Sequence, residues 1–466
     1  MSLQEKIYQQ SPVPIQNILI SAFGYQWKKR RFGGIFTQEY KEAKNRESFT
    51  KSQWDEYQQQ QLHKLLMHAV SSIPYYMFSF DRHGITPKML QQTDLANLHK
   101  LPVLLKDDLR KFGTTNLLLP AKQKKASFFS SSGSTGTPVK IFYSHAMHQK
   151  WFGIFEARIR NWAGVSSFIP RGMIGGRRIL PDAANTPPFY RYNYFEKQAY
   201  FSAYHISSAN AWNYLEGMRK HKVKYMTGYA MSNFFLARFF KENNLDAPEL
   251  KAVLPSSEKL STEMRQMFKE VYKCKTFDSW GSVEACGMVS ECEHGKLHIN
   301  PDAGIIEILD EELQPVQDGI AGDVYCTGLL NFDQPLIRYK IGDRMIRSSE
   351  QCACGRNMDV IEEIVGRTED VVIGRDGREM VRFHSIFYGL EKIKKAQVIQ
   401  ERVETIHIKI EAETTLTKDE ESIIRQRVVS QLGEINISIE AVPSIPLNGN
   451  GKFQAVISKV KRQTKV

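Results

Sequence analysis

The run Ser130-Ser131-Ser132-Gly133-Ser134-Thr135-Gly136-Thr137-Pro138-Val139-Lys140 gathers hydroxyls, glycines and one lysine into a short loop. Glycine lets the backbone approach an anion closely, and successive N–H groups together with Ser and Thr hydroxyls can surround phosphate oxygens. The loop therefore reads as a phosphate cradle. Its spacing is not Gly-x4-Gly-Lys-[Ser/Thr], so it is not the usual nucleotide P-loop. A flexible Ser/Gly linker is the plainer alternative. The apolar runs on either side, Phe128-Phe129 and then Val139 with Ile141-Phe142-Tyr143, argue against a linker and predict two strands joined by this turn.

The elements that must carry such a loop follow from periodicity. Residues 1 to about 105 read as mainly helical, with Leu62, Leu65, Leu66 and Ala69 at helical spacing and a break near Pro74-Tyr75-Tyr76. From about 125 to 345, short strand-like runs such as Val253-Leu254 and Val324-Tyr325-Cys326 alternate with helical stretches such as Ala211 to His221 and Ser232 to Lys241. That alternation predicts an α/β fold built in layers. A boundary is expected near Gly366, dividing a 1–365 core from a 366–466 α+β tail. In the tail, Asp376-Gly377 predicts a hairpin turn, His384 to Ile393 a helix, Ile406, Ile408 and Ile410 a strand, and Lys418 to Leu432 a helix.

The chain of 466 residues is long enough for about three domains. With 42% hydrophobic and 24% charged residues it belongs among ordinary globular proteins rather than disordered ones. No leader pattern stands at the N-terminus and no apolar run approaches about 18 residues, so a cytoplasmic location is the default expectation. Six cysteines are too few for a disulfide framework, which leaves reduced thiols or metal ligands. The formal charge of +12 favours acidic partners: ATP, coenzyme A, nucleic acid or anionic lipid. No groove-reading element accompanies it, so nucleic acid is not expected. The densest basic patch, Trp27-Lys28-Lys29-Arg30-Arg31-Phe32, follows a mostly apolar stretch from Ile18 to Phe23. That pair fits a peripheral contact with a membrane surface, although a solvated helix end is the commoner origin of such a run.

In the order in which they occur, the phosphate-loop run, Trp280-Gly281-Ser282-Val283-Glu284, Arg338-Tyr339-Lys340-Ile341-Gly342-Asp343, Gly366-Arg367-Thr368-Glu369-Asp370 and Pro446-x4-Gly451-Lys452 resemble the motifs of the adenylate-forming enzymes, the superfamily of acyl-CoA synthetases. The likeness runs nearly the whole length. It is most similar to the phenylacetate-CoA ligases and the related capsular polysaccharide biosynthesis branch, on Leu101-Pro102-Val103-Leu104-Leu105-Lys106-Asp107-Asp108-Leu109-Arg110, Cys292-x-x-Gly295-x-Leu297-His298 and Cys352-Ala353-Cys354-Gly355-Arg356. Two departures stand out. Val283 replaces the expected hydroxyl residue, so that its phosphate contact is lost or supplied by Ser282, and Ser256-Ser257-Glu258 stands where the family has Gly-Gly-Glu or Gly-Ala-Glu on the adenine side.

The resemblance implies a large adenylation core and a small mobile C-terminal domain. It implies that Ser131, Ser132, Gly133, Ser134, Thr135, Gly136, Thr137 and Lys140 hold phosphates, and that Ser257, Glu258, Trp280, Gly281, Ser282, Asp343 and Arg367 meet the rest of the nucleotide. Glu284 is the implied Mg2+ ligand, as suits a hard cation, and Asp343 the acceptor for both ribose hydroxyls, as suits an acceptor-only carboxylate. Glu369 falls at the hinge and Lys452 is the implied catalytic cation, neutralising the repulsion between a substrate carboxylate and the α-phosphate of ATP.

Acyl-AMP and pyrophosphate would form first, and the acyl group would then pass to an acceptor. Coenzyme A leads, with a sugar or amine acceptor, or transfer of AMP itself, as alternatives. A noncatalytic nucleotide-binding scaffold is the reading from another class, and Val283 is its best argument. Tyr229, Ala230 and Met231 are candidates for the acyl pocket, with core packing the competing role. Cys292, His298, Cys352 and Cys354 form a Cys3His set suited to structural Zn2+, with His294 competing for the histidine position. Monomer and dimer are equally open.

Overall fold

The computed structural model describes residues 3–125, 128–130, 138–180, 186–258, 260–365, 372–376, 378–380, 386–387, 389–390, 392–412, 414–445 and 456–460. The expected helical N-terminal region is present. Its longest helix, Lys51–Ser72, opens on a capping box in which the Thr50 hydroxyl accepts from the Gln53 N–H and the Gln53 side chain accepts from the Thr50 N–H. Trp54, Leu62, Leu65, Leu66 and Ala69 form its buried stripe. That helix ends just before Pro74, as expected: Ile73 is extended, and Pro74 starts the next helix, Pro74–Arg82, at the position where a missing N–H costs nothing.

Two sheets make the core. The first has six strands in the order Tyr190–Asn193, Gln198–Ser202, Arg171–Gly175, Tyr225–Tyr229, Ala252–Ser256, Lys275–Thr276. All neighbours are parallel except Tyr190–Asn193, which runs antiparallel at one edge. From Arg171–Gly175 the chain goes first to one side and then to the other, so the order reverses beside this strand. In open α/β sheets ligands bind at that reversal, outside the carboxyl ends of the strands. Helices Ala211–Lys220, Ala230–Glu242 and Thr262–Tyr272 cover the sheet through Tyr214, Leu215, Phe234, Leu236, Phe240 and Phe268.

The second sheet has seven strands, all antiparallel to their neighbours: Gly304–Leu309, Ala321–Gly328, Tyr339–Ser348, Val360–Ile364, Leu297–Ile299, Met288–Glu291, Ser279–Gly281. Its strands share one apolar cluster with the N-terminal helices, joining Leu62, Leu66 and Leu104 to Val289, Val324 and Tyr339. The predicted hairpin around the serine-rich loop pairs Phe128–Ser130 with Lys140–Phe142. The buried Gln334 amide pins it: its Oε1 accepts from the Phe142 N–H at 2.7 Å, and its Nε2 donates to Gly113 O at 2.7 Å and Lys140 O at 3.2 Å.

In the tail, strands Asn436–Ala441, Thr405–Ala412, Ile393–Arg402 and Val456–Ser458 form a four-stranded sheet in that order. Ile406, Ile408 and Ile410 alternate onto one face and pack with Ile424, Val428 and Leu432 of the helix Lys418–Leu432. Burial of each such side chain is worth about 1.5–3 kcal/mol, which is how so small a unit holds together. Val372–Ile373 and Glu379–Met380 pair as the expected hairpin arms. Of the helix expected over 384–393, residues 384, 385, 388 and 391 lie outside the described residues, and the described remainder is not a continuous helix. Ile393 opens a ten-residue strand, and the described residues before it hold a turn in which Gly389 has φ +79° and the Ile393 N–H bonds Leu390 O. An apolar run in a positive-φ turn imitates helical spacing without helical backbone. Among the described residues no helix is long and apolar enough to cross a membrane.

Candidate active site

Trp280 lies in the edge strand Ser279–Gly281 of the seven-stranded sheet, paired with Val289, and its indole is buried. Asp343 lies in the long strand Tyr339–Ser348 of the same sheet. The indole Nε1–H reaches across and donates to Asp343 Oδ2 at 3.0 Å. A second bond ties the same two segments: Tyr339 Oη donates to Glu284 Oε1 at 3.3 Å. Glu284 is buried although it is a carboxylate, and Tyr143 from the hairpin strand side completes its surroundings by donating to Val283 O. Burial, reinforced by the Glu284 carboxylate, raises the Tyr143 pKa well above its ordinary value, so this phenol stays a neutral donor.

Val283 is accounted for by packing, since its side chain lies against the main apolar cluster. The neighbouring Ser282 Oγ is buried and has no hydrogen-bond partner among the described residues. A buried hydroxyl without a partner costs about 1–3 kcal/mol and needs a reason. Nothing in the described chain requires a glycine at 281: a Cβ there would sit 3.5 Å from the Trp151 ring, an ordinary contact. Glycine in a strand with such room is expected where a ligand approaches the backbone.

Arg338, which opens the Arg-Tyr-x-x-Gly-Asp segment, is a structural residue. It is buried, pairs with Glu307 at 3.0 Å, and donates to His99 O at 2.8 Å and Leu101 O at 2.6 Å. Leu104 then bridges Tyr339 in parallel, with Leu104 N–H to Arg338 O at 3.1 Å and Lys340 N–H to Leu104 O at 3.0 Å. Thus the segment 101–110 fastens the strand that carries Asp343.

The other expected site residues are placed as follows. Ser257 follows the carboxyl end of Ala252–Ser256 with φ +72°, a conformation non-glycine residues rarely adopt, and Glu258 is next to it. Tyr229 ends the strand Tyr225–Tyr229, with its hydroxyl packed on Gly176, where a Cβ would lie 2.3 Å away. Ala230 starts the following helix fully buried in the core cluster, and Met231 is the next residue of that helix. Lys140 is exposed in its strand. Ser131, Ser132, Gly133, Ser134, Thr135, Gly136 and Thr137, Arg367 and Glu369, and Lys452 lie outside the described residues.

The cysteine cluster assembles from three places. Cys292 follows the strand Met288–Glu291, His298 sits in Leu297–Ile299, and Cys352 and Cys354 sit in the connection after Tyr339–Ser348. The four ligand atoms lie within 4.8 Å of one another, with Cys292 Sγ to Cys352 Sγ at 3.5 Å and Cys354 Sγ to His298 Nε2 at 3.4 Å. His298 Nδ1 faces Met358 O at 3.3 Å, leaving Nε2 toward the sulfurs. Burial lowers the His298 pKa, which keeps the imidazole neutral as a metal ligand must be.

Each side has a Cys-x-x-Gly turn: the Gly295 N–H bonds Cys292 O at 2.9 Å and the Gly355 N–H bonds Cys352 O at 3.2 Å, with φ +80° and +76° at the glycines. His294 is exposed on the first turn and does not join the cluster. Sequence reasoning missed Tyr143, Tyr339 and Gln334 as site supports. Tyr339 alone stood inside a recognisable motif.

The fold is that of the adenylate-forming ligases. The chain aligns with the crystal structure of 2-hydroxyisobutyryl-CoA ligase in the postadenylation state in complex with R3-HIB-AMP at a TM-score of 0.55 and 18% identity, covering 89% of this chain and 91% of that one. The same ligase in complex with 2-HIB-AMP and CoA in the thioesterification state gives 0.56 and 18%, with the same coverage of 89% and 91%. By sequence, the chain is 25% identical to Protein CapK of Staphylococcus aureus over 467 residues, 98% of this chain and 99% of that protein. Residues 373–459 match the family described as the CapK C-terminal domain. The chain is also 26% identical to phenylacetate-coenzyme A ligase of Thermus thermophilus over 339 residues, 68% of this chain and 71% of that protein. Its homologues are thus CapK and the phenylacetate-CoA ligases, as its motifs suggested.

Proposed function

We propose that the chain is an AMP-forming ligase that joins a carboxylic acid to the α-phosphate of ATP, releases pyrophosphate, and passes the acyl group from acyl-AMP to the thiol of coenzyme A. The observation that carries the reading is the double tie between the two motif segments, Trp280 to Asp343 and Tyr339 to Glu284. It presents two carboxylates of different task, Asp343 from a strand and Glu284 from the turn that follows the edge strand Ser279–Gly281. Asp343, oriented by the indole, accepts the ribose hydroxyls. Glu284, together with the unpartnered Ser282 hydroxyl, suits a hard oxygen-seeking cation. Mg2+ held there would offset charge on the phosphates. The bare backbone at Gly281 and the strained Ser257 border the nucleotide.

Residues 131–137 cradle the phosphates in this reading. The 366–466 tail carries Lys452 as a lid that swings about Glu369, with Arg367 at the ribose or phosphate. The start of the CapK C-terminal match at residue 373 supports the boundary near 366. Lys452 lowers the repulsion between the substrate carboxylate and the triphosphate, and no protein nucleophile is needed.

The Cys3His cluster holds a structural Zn2+. Its three sulfurs and one neutral nitrogen match that ion's donor preference, and the two Cys-x-x-Gly turns join the Met288–Glu291/Leu297–Ile299 hairpin to the connection before Val360–Ile364.

Pyrophosphate release with ATP, Mg2+ and a panel of aromatic, aliphatic and amino acids tests the reading. Acid-dependent release is expected, with consumption of coenzyme A, an amine or a sugar identifying the acceptor. ATP binding with no acid-dependent release would overturn it in favour of the scaffold.

A further inference from the structure

The helix Val13–Phe32 is built inside out. Its buried residues are Gln16, Ile20, Ser21 and Gly24, whereas Ile15, Ile18, Leu19 and Phe23 are exposed, Ile18 at 63%. At about 100° per residue, those four apolar side chains and Ala22 fall on one outward stripe, the reverse of the usual arrangement. The inward face explains why. The strand Tyr190–Asn193 is an edge of the six-stranded sheet, and the helix covers that edge with polar groups. Asn17 Oδ1 accepts from the Tyr192 N–H at 2.9 Å, and Ser21 Oγ accepts from the Tyr194 N–H at 3.0 Å. Gln16 takes the Arg191 guanidinium, and Gly24 allows a contact with Asn193 that any Cβ would block, at 1.9 Å. The polar side is spent on the sheet, so the apolar side faces out.

What surrounds the stripe selects its occupant. The helix contains no Asp or Glu. Lys29 is exposed over the Tyr25 ring at 4.7 Å, and Arg177 is exposed with its guanidinium 5.4 Å from the Phe23 ring and 4.8 Å from Tyr200. Arg178 follows, also exposed, beside Tyr204 at 5.6 Å. Tyr25, Tyr194 and Phe195 are exposed along the same edge, Tyr194 at 60%. Apolar residues flanked by aromatic rings and cations, with no acid on the helix, match a membrane interface bearing negative headgroups. By contrast, Arg31 is committed to Glu196, Arg30 to His148 and Tyr143 O, and Lys28 to Phe195 O at 3.1 Å, so three of the four cations of the basic run serve the fold.

We propose that this face docks the protein on an anionic lipid bilayer. Arg177 follows Gly176, on which the Tyr229 hydroxyl packs, so the docked stripe lies beside the carboxyl ends of Arg171–Gly175 and Tyr225–Tyr229, where the strand order reverses. Docking therefore brings the mouth of that crevice to the bilayer surface. The surface contact does not depend on the reaction proposed above.

Co-sedimentation of the full chain with vesicles tests it, comparing phosphatidylcholine alone with phosphatidylcholine mixed with phosphatidylglycerol. The native chain should pellet with the mixed vesicles, less so as salt is raised, and the triple variant Ile18→Ser, Leu19→Ser, Phe23→Ser should bind at least about tenfold more weakly. An unchanged circular dichroism spectrum and melting curve would show that this variant is folded, as expected for exposed positions. Failure of the native chain to pellet with any vesicle, equal pelleting of the triple variant, or equal pelleting on phosphatidylcholine alone would overturn the proposal. So would light scattering that finds a dimer of the native chain dispersed by the same substitutions, since the stripe would then belong to a second copy.

Discussion

The Trp280 indole donates to Asp343 Oδ2 across 63 positions of sequence, at 3.0 Å, and so restricts the rotation of that carboxylate. A carboxylate that must accept from two hydroxyls gains from arriving already oriented, because its rotation is not then lost on binding. That relationship, rather than the presence of an Asp after a Gly, is what supports the role proposed for Asp343.

Trp280→Phe keeps the ring and removes the donor. A hydrogen bond to a charged group is worth about 1.5–3 kcal/mol, equivalent to about ten- to a hundredfold, so KM for ATP should rise by at least about tenfold. Steady-state kinetics with ATP varied checks this. An unchanged KM would mean that the indole supports the fold alone.

The metal cluster makes a prediction that needs no substrate. Untagged protein should carry about one zinc per chain by elemental analysis. Cys354→Ser or His298→Ala should lose it and lower the melting temperature, whereas His294→Ala should keep it, because His294 is exposed outside the cluster. Zinc retained by His298→Ala but lost from His294→Ala would reverse the ligand assignment.

Acid should weaken the fold through His148. Burial, with Arg30 and Arg31 close by, holds its pKa down to about 3, and its Nδ1 accepts from Arg30 Nε at 3.1 Å. The unfolded chain therefore binds a proton at this site between about pH 6.5 and pH 3 while the folded chain does not, so stability rises with pH across that window and falls on acidification. The slope from one such group is about 1.4 kcal/mol per pH unit. His148→Gln, which retains an acceptor for Arg30, should show a shallower loss of urea midpoint between neutral and mildly acidic buffer. Equal slopes for the two proteins would remove His148 from the acid response.

Much of this was legible in the chain because motif and position coincide. The Trp280 to Glu284 and Arg338 to Asp343 segments announced themselves by residue type, and the helix Lys418–Leu432 and the Ile406, Ile408, Ile410 strand by period. The ties between segments were not legible. Whether Trp280 meets Asp343 depends on the register of a seven-stranded sheet in which their strands are not neighbours. Gln334 reads in sequence as one more polar residue of a turn, and only the fold reveals it as the amide that clamps the serine-loop hairpin. The apolar stretch Ile18 to Phe23 and the basic run after it were visible in the sequence, but not which face of Val13–Phe32 turns outward, because the polar residues that look solvent-facing are consumed by a sheet edge.

The most direct test of the central claim separates the two half-reactions. With the acid found active in the panel, the native chain should catalyse ATP–pyrophosphate exchange, and Lys452→Ala should abolish that exchange while still transferring the acyl group from supplied acyl-AMP to the acceptor. Loss of both steps together, or exchange that survives in Lys452→Ala, would contradict the account.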